Sequence, residues 1–280
     1  MNPVQNITGT YEAQAPISHG SDKDFGKETR FRTQEMAVRD NGDVHYEDIP
    51  VVSGNSLRGQ LRDLLAQDFL DRLSEDGDTL EISDTLSHSF YSGGSLERTA
   101  GPSKLNRKML HGLREYIPPL SLFGTAIGDQ IPEGRVDIGQ LLPVGSETNS
   151  YTGRDAAESV FELREKTFYT RKDDRIGGRQ EGEDAQQMKF EVQILIPGTR
   201  LHHDLTLRSG HSDRTAACLG HAFDLFSERP RIGGMASRGH GKVEFDYGGD
   251  LPDGEPYRQW VADNRDEIRE FVEDLDDRVS

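Results

Sequence analysis

The strongest constraint on the fold is one amphipathic pattern between residues 57 and 73. Large apolar residues recur there at helical spacing: Leu57, Leu61, Leu64, Leu65, Phe69, Leu70 and Leu73. A period of 3.6 residues gathers such side chains on one face, so the pattern predicts a long helix with that face in the core. The preceding segment ends in Asn55 and Ser56, either of which can cap the first turn.

Strand-like segments surround this helix. The predicted strands are residues 7–15, 31–38, 134–144 and 242–247, and a second helix is predicted over residues 216–226. The order strand, strand, helix and then strand, helix, strand suits an α+β fold. We therefore expect a ferredoxin-like or RRM-like palm with large insertions.

Two insertions are expected within the palm, which we assign to residues 1–249. Residues 74–133 are interpreted as an irregular and helical insertion, with a helix near residues 104–116 and an apolar segment at residues 120–126. Residues 158–197 predict two paired strands around a charged tip, which would form a projecting β-hairpin, or thumb.

The remaining residues, 250–280, have a different composition. They hold eleven acidic residues and four arginines, and apolar residues such as Trp260, Ile268 and Val272 recur at helical spacing. We expect an acidic C-terminal amphipathic helix that packs either on its own domain or on a partner subunit.

The overall charge is strongly negative. Thirty-three basic residues face 50 acidic ones, giving a net charge of −17, and only eight of the basic residues are lysines. This composition is typical of proteins from a high-salt (halophilic) cytoplasm, where salt screens the self-repulsion of an acidic surface. The net charge is therefore weaker evidence against RNA binding than usual.

Other compositional features exclude some classes of protein. Cys218 is the only cysteine and lies in an apolar run, so we expect a buried thiol and neither disulfides nor a thiolate metal site. No apolar stretch has membrane-spanning length, and no signal peptide is apparent. The sequence predicts a cytoplasmic protein with no cofactor and no membrane partner.

The glycine-rich segments are locally basic, although the chain as a whole is acidic. Residues 54–62 hold two arginines and no acid, and residues 229–242 hold four basic residues and no acid. A third segment, residues 164–179, has six basic residues and three acidic ones. Glycine allows close approach to a ligand and arginine offers a forked donor to phosphate, so these segments predict binding of a polyanion. The alternative is that they are ordinary polar loops.

Four motifs resemble a known family. The run from Ile49 to Arg62 resembles the P-x-I-P-G-S-S-L-K-G-x-L-R signature of the RAMP superfamily, and the run from Ile232 to Val243 resembles its C-terminal glycine-rich loop. Residues 16–20 occupy the place of its turn after the first strand, and residues 121–126 resemble its L-F-G-S segment. The order of the motifs over nearly the whole chain makes the resemblance specific.

Within this superfamily the chain resembles the Cas seven-type backbone subunits of class 1 CRISPR effectors, closest to types III and IV, with type IV favoured. The resemblance implies an RRM-type palm, a β-hairpin thumb and assembly of copies as a filament along a guide RNA. The implied partners are CRISPR guide RNA, a complementary target nucleic acid, copies of the chain itself and other effector subunits.

The expected RNA contacts combine these motifs with the basic segments. The candidate residues are His19, Gly20, Ser56, Arg58, Arg62, Lys166, Arg171, Lys172, Arg175, Arg179, Gly234, Ser237, Arg238 and His240. The arginines would contact phosphates, and Phe31, Tyr169 or His240 would stack on bases. The alternatives are that Arg58 pairs with a surface acid, that Arg238 is only solvated, and that His19 and His240 are polar loop residues.

Catalysis is not expected. Related type III subunits cut target RNA with an aspartate in the loop before the Ile49 motif, and the matching stretch, residues 31–36, holds Glu35 as its only acid. The alternatives are an endoribonuclease that uses a metal ion or a histidine such as His19 or His240, and a metabolic α+β protein that binds no nucleic acid.

Overall fold

The computed structural model describes residues 2–21, 28–40, 42–74, 80–94, 106–127, 130–171 and 188–279. Its strands are β1 Gln5–Ala13, β2 Glu28–Thr29, β3 Thr33–Asp40, β4 Asp43–Pro50, β5 Val136–Ile138, β6 Leu142–Pro143, β7 Arg164–Arg171, β8 Met188–Leu195, β9 Arg200–Leu207 and β10 Val243–Asp246. Its helices are α1 Gly54–Leu73, α2 Asp84–Tyr91, α3 Arg107–Tyr116, α4 Pro118–Phe123, α5 Asn149–Thr152, α6 Asp213–Glu228, α7 Glu255–Asp263 and α8 Arg265–Val279.

The palm is an antiparallel sheet with ferredoxin-like connections. Its strands lie in the order β10-β1-β9-β5, and β6 also pairs with β9. Along the chain, β1 is followed by α1, then β5 and β6, then β9, α6 and β10, which is the βαββαβ order of this fold. The prediction of an α+β, ferredoxin-like fold is confirmed.

One face of the sheet carries the helices and the other faces solvent. Ile7, Tyr11 and Ala13 of β1 are buried in the main hydrophobic core together with residues of α1 and α6. On the outer face of β1, Thr8 and Glu12 are exposed and Thr10 is half-buried. Acidic side chains dominate the outer face: Glu12, Asp204, Glu244 and Asp246 are all exposed. An RNA backbone would be repelled there, although this is the face that RRM domains commonly use.

Two strands differ from the sequence-based expectation. Residues 134–144 form two short strands, because the backbone at Gly139 turns toward the Asp204 carbonyl and leaves no room for a side chain. The central strand β9 was not predicted at all. Its apolar alternation is interrupted by His202, His203 and Asp204, although the first two of these are buried.

Several smaller expectations also change. The predicted strand at residues 31–38 exists as β3 but pairs with β4 in a separate two-stranded sheet and does not join the palm. Helix α1 is capped by Ser53, whose side chain accepts a hydrogen bond from the Ser56 amide, and not by Asn55 or Ser56. The irregular part of the 74–133 insertion contains α2, and a short helix, α5, lies between β6 and β7.

The acidic tail forms two helices that pack on the chain itself. Tyr257 and Val261 of α7, and Ile268, Val272 and Leu275 of α8, are buried in the main hydrophobic core. These helices contact α1, α3 and α6. The structure therefore favours the first of the two expected positions for the tail. No helix in the described parts of the chain is long and apolar enough to cross a membrane.

A buried histidine makes the stability of the palm depend on pH. His203 is hydrogen-bonded to the Tyr247 hydroxyl at 2.5 Å and to the Gly139 carbonyl at 3.1 Å. Burial lowers its pKa from 6.5 to about 4, so the folded state holds the ring neutral while the unfolded state is protonated first as the pH falls. Its contribution to stability is complete above pH 6.5 and is lost as the pH falls toward 4.

We expect the free energy of unfolding to decrease by about 2 kcal/mol through His203 alone when the pH falls from 7 to 5. Urea titrations at both pH values on the wild type and on His203→Phe measure it, because phenylalanine keeps a ring in place but cannot take up a proton. The variant should lose less stability over this range than the wild type. Equal losses would contradict the assignment.

Candidate nucleic-acid interface

Two of the motif segments lie directly against each other. Ser18 forms a backbone bridge with Gly234, and the Ser18 hydroxyl donates to the Gly234 carbonyl at 2.9 Å. The Gly241 amide donates to the Pro16 carbonyl at 2.8 Å. The turn after β1 therefore holds both ends of the glycine-rich loop, residues 232–241.

The Ile49–Arg62 motif, which leads into α1, is connected to the turn after β1 through His19. Its Nε2 accepts a hydrogen bond from the Ser53 amide at 3.1 Å, immediately before α1. Ser53 in turn accepts from the Ser56 amide, so the first turn of α1 is already capped by the chain. His19 is therefore placed as an acceptor that connects the turn to the helix, and Gly20 continues this segment through a bridge to Phe31.

The glycines of the loop serve packing as well as access. Gly233 has a φ of +75°, and a side chain there would meet the Ser18 carbonyl at 2.3 Å. Gly241 has a φ of +80°, with the Ile232 carbonyl 2.2 Å from the same position. Both require glycine for close approach of two backbones. Between them, Ser237 and Arg238 lie exposed in a short 3₁₀ turn, where a ligand can reach them.

The β7–β8 hairpin closes onto this loop through Tyr169. The Arg238 guanidinium lies over the Tyr169 ring at 4.9 Å, and the Tyr169 hydroxyl is hydrogen-bonded to Nε2 of His240. His240 is only 3% exposed, and burial together with the charge of Arg238 holds its pKa below its usual range. Tyr169 and His240 thus fasten the hairpin to the palm.

The two arginines of α1 differ from expectation. Arg62 is 7% exposed, and its guanidinium donates to the carbonyls of Ser89, Phe123 and Gly124. Arg58 also donates to the Phe123 carbonyl. Arg62 is thus held by buried carbonyls of its own chain, which argues against the expectation that it contacts RNA. Arg58 is half-buried and is partly committed to the same carbonyl.

A basic groove opens between the two hairpins. It has a volume of about 750 Å³ and is lined from β3–β4 by Thr33 and Asp48, from β7–β8 by Arg164, Lys166 and Gln193, and between them by Ser21, Glu28, Arg30, Phe31 and Arg32. Four lining residues are basic and two are acidic, so the groove has a positive balance of charge, whereas the chain as a whole is negative. This concentration of basic residues was not apparent from the sequence, because two separate segments, residues 30–32 and 164–166, supply it.

Charges in the groove are partly compensated. Nζ of Lys166 pairs with Glu191 and lies 3.7 Å from Glu28, and the hydrogen bond to Glu191 raises the lysine pKa. Arg30 also pairs with Glu28, at 3.2 Å. The Arg164 guanidinium lies over the Phe161 ring at 5.1 Å, and Arg164 also lines the groove. When a polyanion binds, Arg30 and Lys166 would replace their ion pairs with Glu28 and Glu191 by contacts with phosphate.

Exposed aromatic side chains flank the groove on both sides. Phe168 is 57% exposed and lies two residues beyond Lys166 on the same face of β7. Tyr46 is 68% exposed and lies two residues before Asp48, on the same face of β4. Phe31, in contrast, is buried against His19, so the expectation that it stacks on bases is wrong. Phe168 and Tyr46 are better placed for that role.

Of the remaining candidate residues, Arg171 alone lies within the part of the chain that the structure describes. Arg171 ends β7, opposite Met188. Lys172, Arg175 and Arg179 lie outside the residues that the structure describes. Within the described ranges, no three His, Cys, Asp or Glu side chains lie close enough to share a metal ion.

The chain matches the RAMP superfamily over residues 41–244, and no curated protein matches it. Among solved structures, a chain of a "Type IV-B CRISPR Complex" has a similar fold, with a TM-score of 0.59 and 21% sequence identity. The alignment covers 86% of this chain and 90% of that one. The superfamily match includes α1, the β7–β8 hairpin and the glycine-rich loop, whereas the turn after β1 and Arg30 lie before its first residue. The chain belongs to the RAMP superfamily.

Proposed function

We propose that this chain binds CRISPR guide RNA and oligomerises along it as a backbone subunit of a class 1 effector complex. The observation that carries the proposal is the meeting of three motif segments and the β7–β8 hairpin beside a basic groove in a chain of net charge −17. Its similarity in fold to a chain of a Type IV-B CRISPR complex supports a place in such an assembly, with type IV favoured.

The groove and the loop suit single-stranded RNA. Arg30, Arg32 and Arg164 offer forked donors to the phosphates, and Ser237 and Arg238 extend this surface along the exposed loop. Phosphate contacts fix the strand without reading its sequence, as a subunit that must accept any guide requires. Phe168 and Tyr46 provide ring faces on which successive bases can stack.

We further propose that the chain does not cleave RNA. His19 accepts a backbone hydrogen bond, and His240 is buried beside Arg238, so neither faces the groove as a free proton acceptor. Glu35 lies exposed on β3, paired in register with Asp48, and Glu35 is not among the lining residues of the groove. The proposed role is therefore antiviral defence through binding: the subunit presents the guide to a complementary target beside other effector subunits, in a salt-rich cytoplasm.

Fluorescence anisotropy with labelled single-stranded RNA tests the binding. Arg164→Ala with Arg238→Ala should weaken affinity about tenfold to a hundredfold for every sequence, as expected for the loss of two charge-assisted contacts. The slope of log affinity against log salt should fall by about 1.4, since each phosphate contact on a single strand contributes about 0.7. The wild type should still bind at molar salt.

The matched control is Arg154→Ala with Arg200→Ala, which removes two arginines beside a separate cleft lined by Glu12 and Glu244. This control should bind RNA like the wild type. Sequence-selective losses in the groove variant, or an equal loss in the control, would contradict the proposed contacts.

A further inference from the structure

Two surfaces of opposite charge lie at opposite ends of the palm. Strand β9 runs for eight residues, so its ends are about 24 Å apart. At its Leu207 end, the chain continues into the start of α6, where α3 and Arg135 also lie. At its Arg200 end, β9 pairs with β6, and Leu142 of β6 packs with Met36 and Val38 of β3.

The surface at the first end is a basic band. Arg107 and Arg114 are exposed on one face of α3, seven residues apart. The adjoining cleft is lined by Arg114, Arg135 and Arg214 and by two acids, Glu115 and Asp213. Two clefts of about 480 and 540 Å³ meet at Arg114. Neither Arg107 nor Arg114 has an ion pair with any residue that the structure describes.

The other two arginines of the band are held in place. Arg214 lies 3.8 Å over the Trp260 ring and donates to the Glu115 carbonyl, and Arg135 donates to the Ser209 carbonyl. The band also has an apolar part, because Ile131 is 77% exposed at its edge beside Leu110. Arginine mixed with exposed aliphatic surface is a composition found in protein–protein interfaces.

The surface at the second end is the acidic β3–β4 hairpin. Residues 35–48 contain five acids and one arginine. Val44 and Tyr46 are exposed on the face that they share with Glu35, and Asp43 lies exposed beside the turn. The hairpin is a separate two-stranded sheet, so this face is covered by no further strand of the described chain.

We propose that the β3–β4 hairpin of one copy docks on the basic band of the next copy. Its acids would pair with Arg107 and Arg114, and Val44 would pack on Ile131. Copies that each carry −17 repel one another, so a contact between them needs a surface where the sign is reversed, and the band is such a surface. Because two different surfaces of the chain meet, the contact is heterologous, and each copy keeps an unoccupied hairpin or band to which a further copy can add.

This inference rests on the proposed assembly along RNA and names the contact that drives it. The band lies at the far end of the palm from Arg238, so a guide strand on the glycine-rich loop leaves the band free. Exposed Ile131 favours a protein partner over a nucleic acid, whose backbone gains little from an aliphatic side chain.

Charge reversal tests the contact. The band variant is Arg107→Glu with Arg114→Glu, and the hairpin variant is Glu35→Lys with Asp43→Lys; all four side chains are exposed. Sedimentation with an RNA long enough for several copies should show that neither variant alone assembles beyond one copy, because like charges then meet. An equimolar mixture should assemble again, since each reversed surface finds a partner in the other variant.

The control variant, Glu12→Lys with Glu244→Lys, makes the same change of charge on the outer face of the sheet and should assemble like the wild type. Single variants that assemble normally, or a mixture that stays dispersed, would overturn the inference while leaving RNA binding intact. A band variant that loses affinity for an RNA too short for two copies would show that the band binds nucleic acid. If the wild type itself never assembles on RNA, the proposed function fails and not merely this contact.

Discussion

Replacing Arg62 with alanine should lower the free energy of unfolding by about 3–5 kcal/mol, because it removes three charge-assisted hydrogen bonds from a buried site. The accepting carbonyls belong to Ser89, Phe123 and Gly124, at 2.9 to 3.3 Å from the guanidinium. Burial lowers the pKa of Arg62 to about 10, so the charge itself is retained at neutral pH. The side chain thus fastens the insertion, residues 74–133, to α1.

Thermal unfolding and urea titration measure this loss, which should lower the Tm by on the order of 10 °C. Arg154→Ala is the control, since that arginine is exposed and should change stability by less than about 0.5 kcal/mol. A stable Arg62→Ala protein that had lost RNA binding would show that the arginine contacts the ligand after all.

Replacing residues 172–187 by an Asn-Gly turn should abolish ordered assembly on RNA while leaving the fold intact. The replaced residues lie outside the described structure, but Arg171 and Met188 are paired directly opposite each other, so a two-residue turn can close the strands. The contacts that fasten the hairpin to the palm, through Tyr169, are retained. The resemblance to thumb-bearing subunits implies that the removed tip reaches a neighbouring copy.

Electron microscopy of the RNA-bound variant measures the order of the filament, and circular dichroism checks the fold. A matched variant, Lys172→Ala with Arg175→Ala and Arg179→Ala, keeps the length of the hairpin and removes its charge. If the shortened protein still forms regular filaments, the thumb role is wrong. If only the charge variant fails, the tip acts through its cations and not through its reach.

The sequence predicts best where one local pattern decides the structure. The leucine period of α1 reflects packing on a single core face, and apolar and polar residues alternate along β8, so the sequence predicts both elements. Strand β9 was missed because His203 is polar in sequence but buried in the fold. Its partners, Tyr247 and Gly139, are 44 and 64 residues away.

The same reason limits prediction of the interface. Arg62 and Arg238 both lie near glycines in acid-free segments, and only the carbonyls supplied by residues 123 and 124 make the first one structural. The groove is assembled from arginines that lie more than 130 residues apart, such as Arg30 and Arg164. The sequence does not predict that Phe168 and Tyr46 are exposed, because an aromatic residue in a strand can face either the core or solvent.

Counting the copies bound to RNAs of increasing length tests the central claim most directly. Mass photometry or sedimentation should give a number of copies that rises in equal steps with RNA length, each step adding one subunit of 31.3 kDa. The RNA should remain uncut after incubation with or without divalent metal. A single copy on every RNA, or a closed dimer that forms without RNA, would contradict the account.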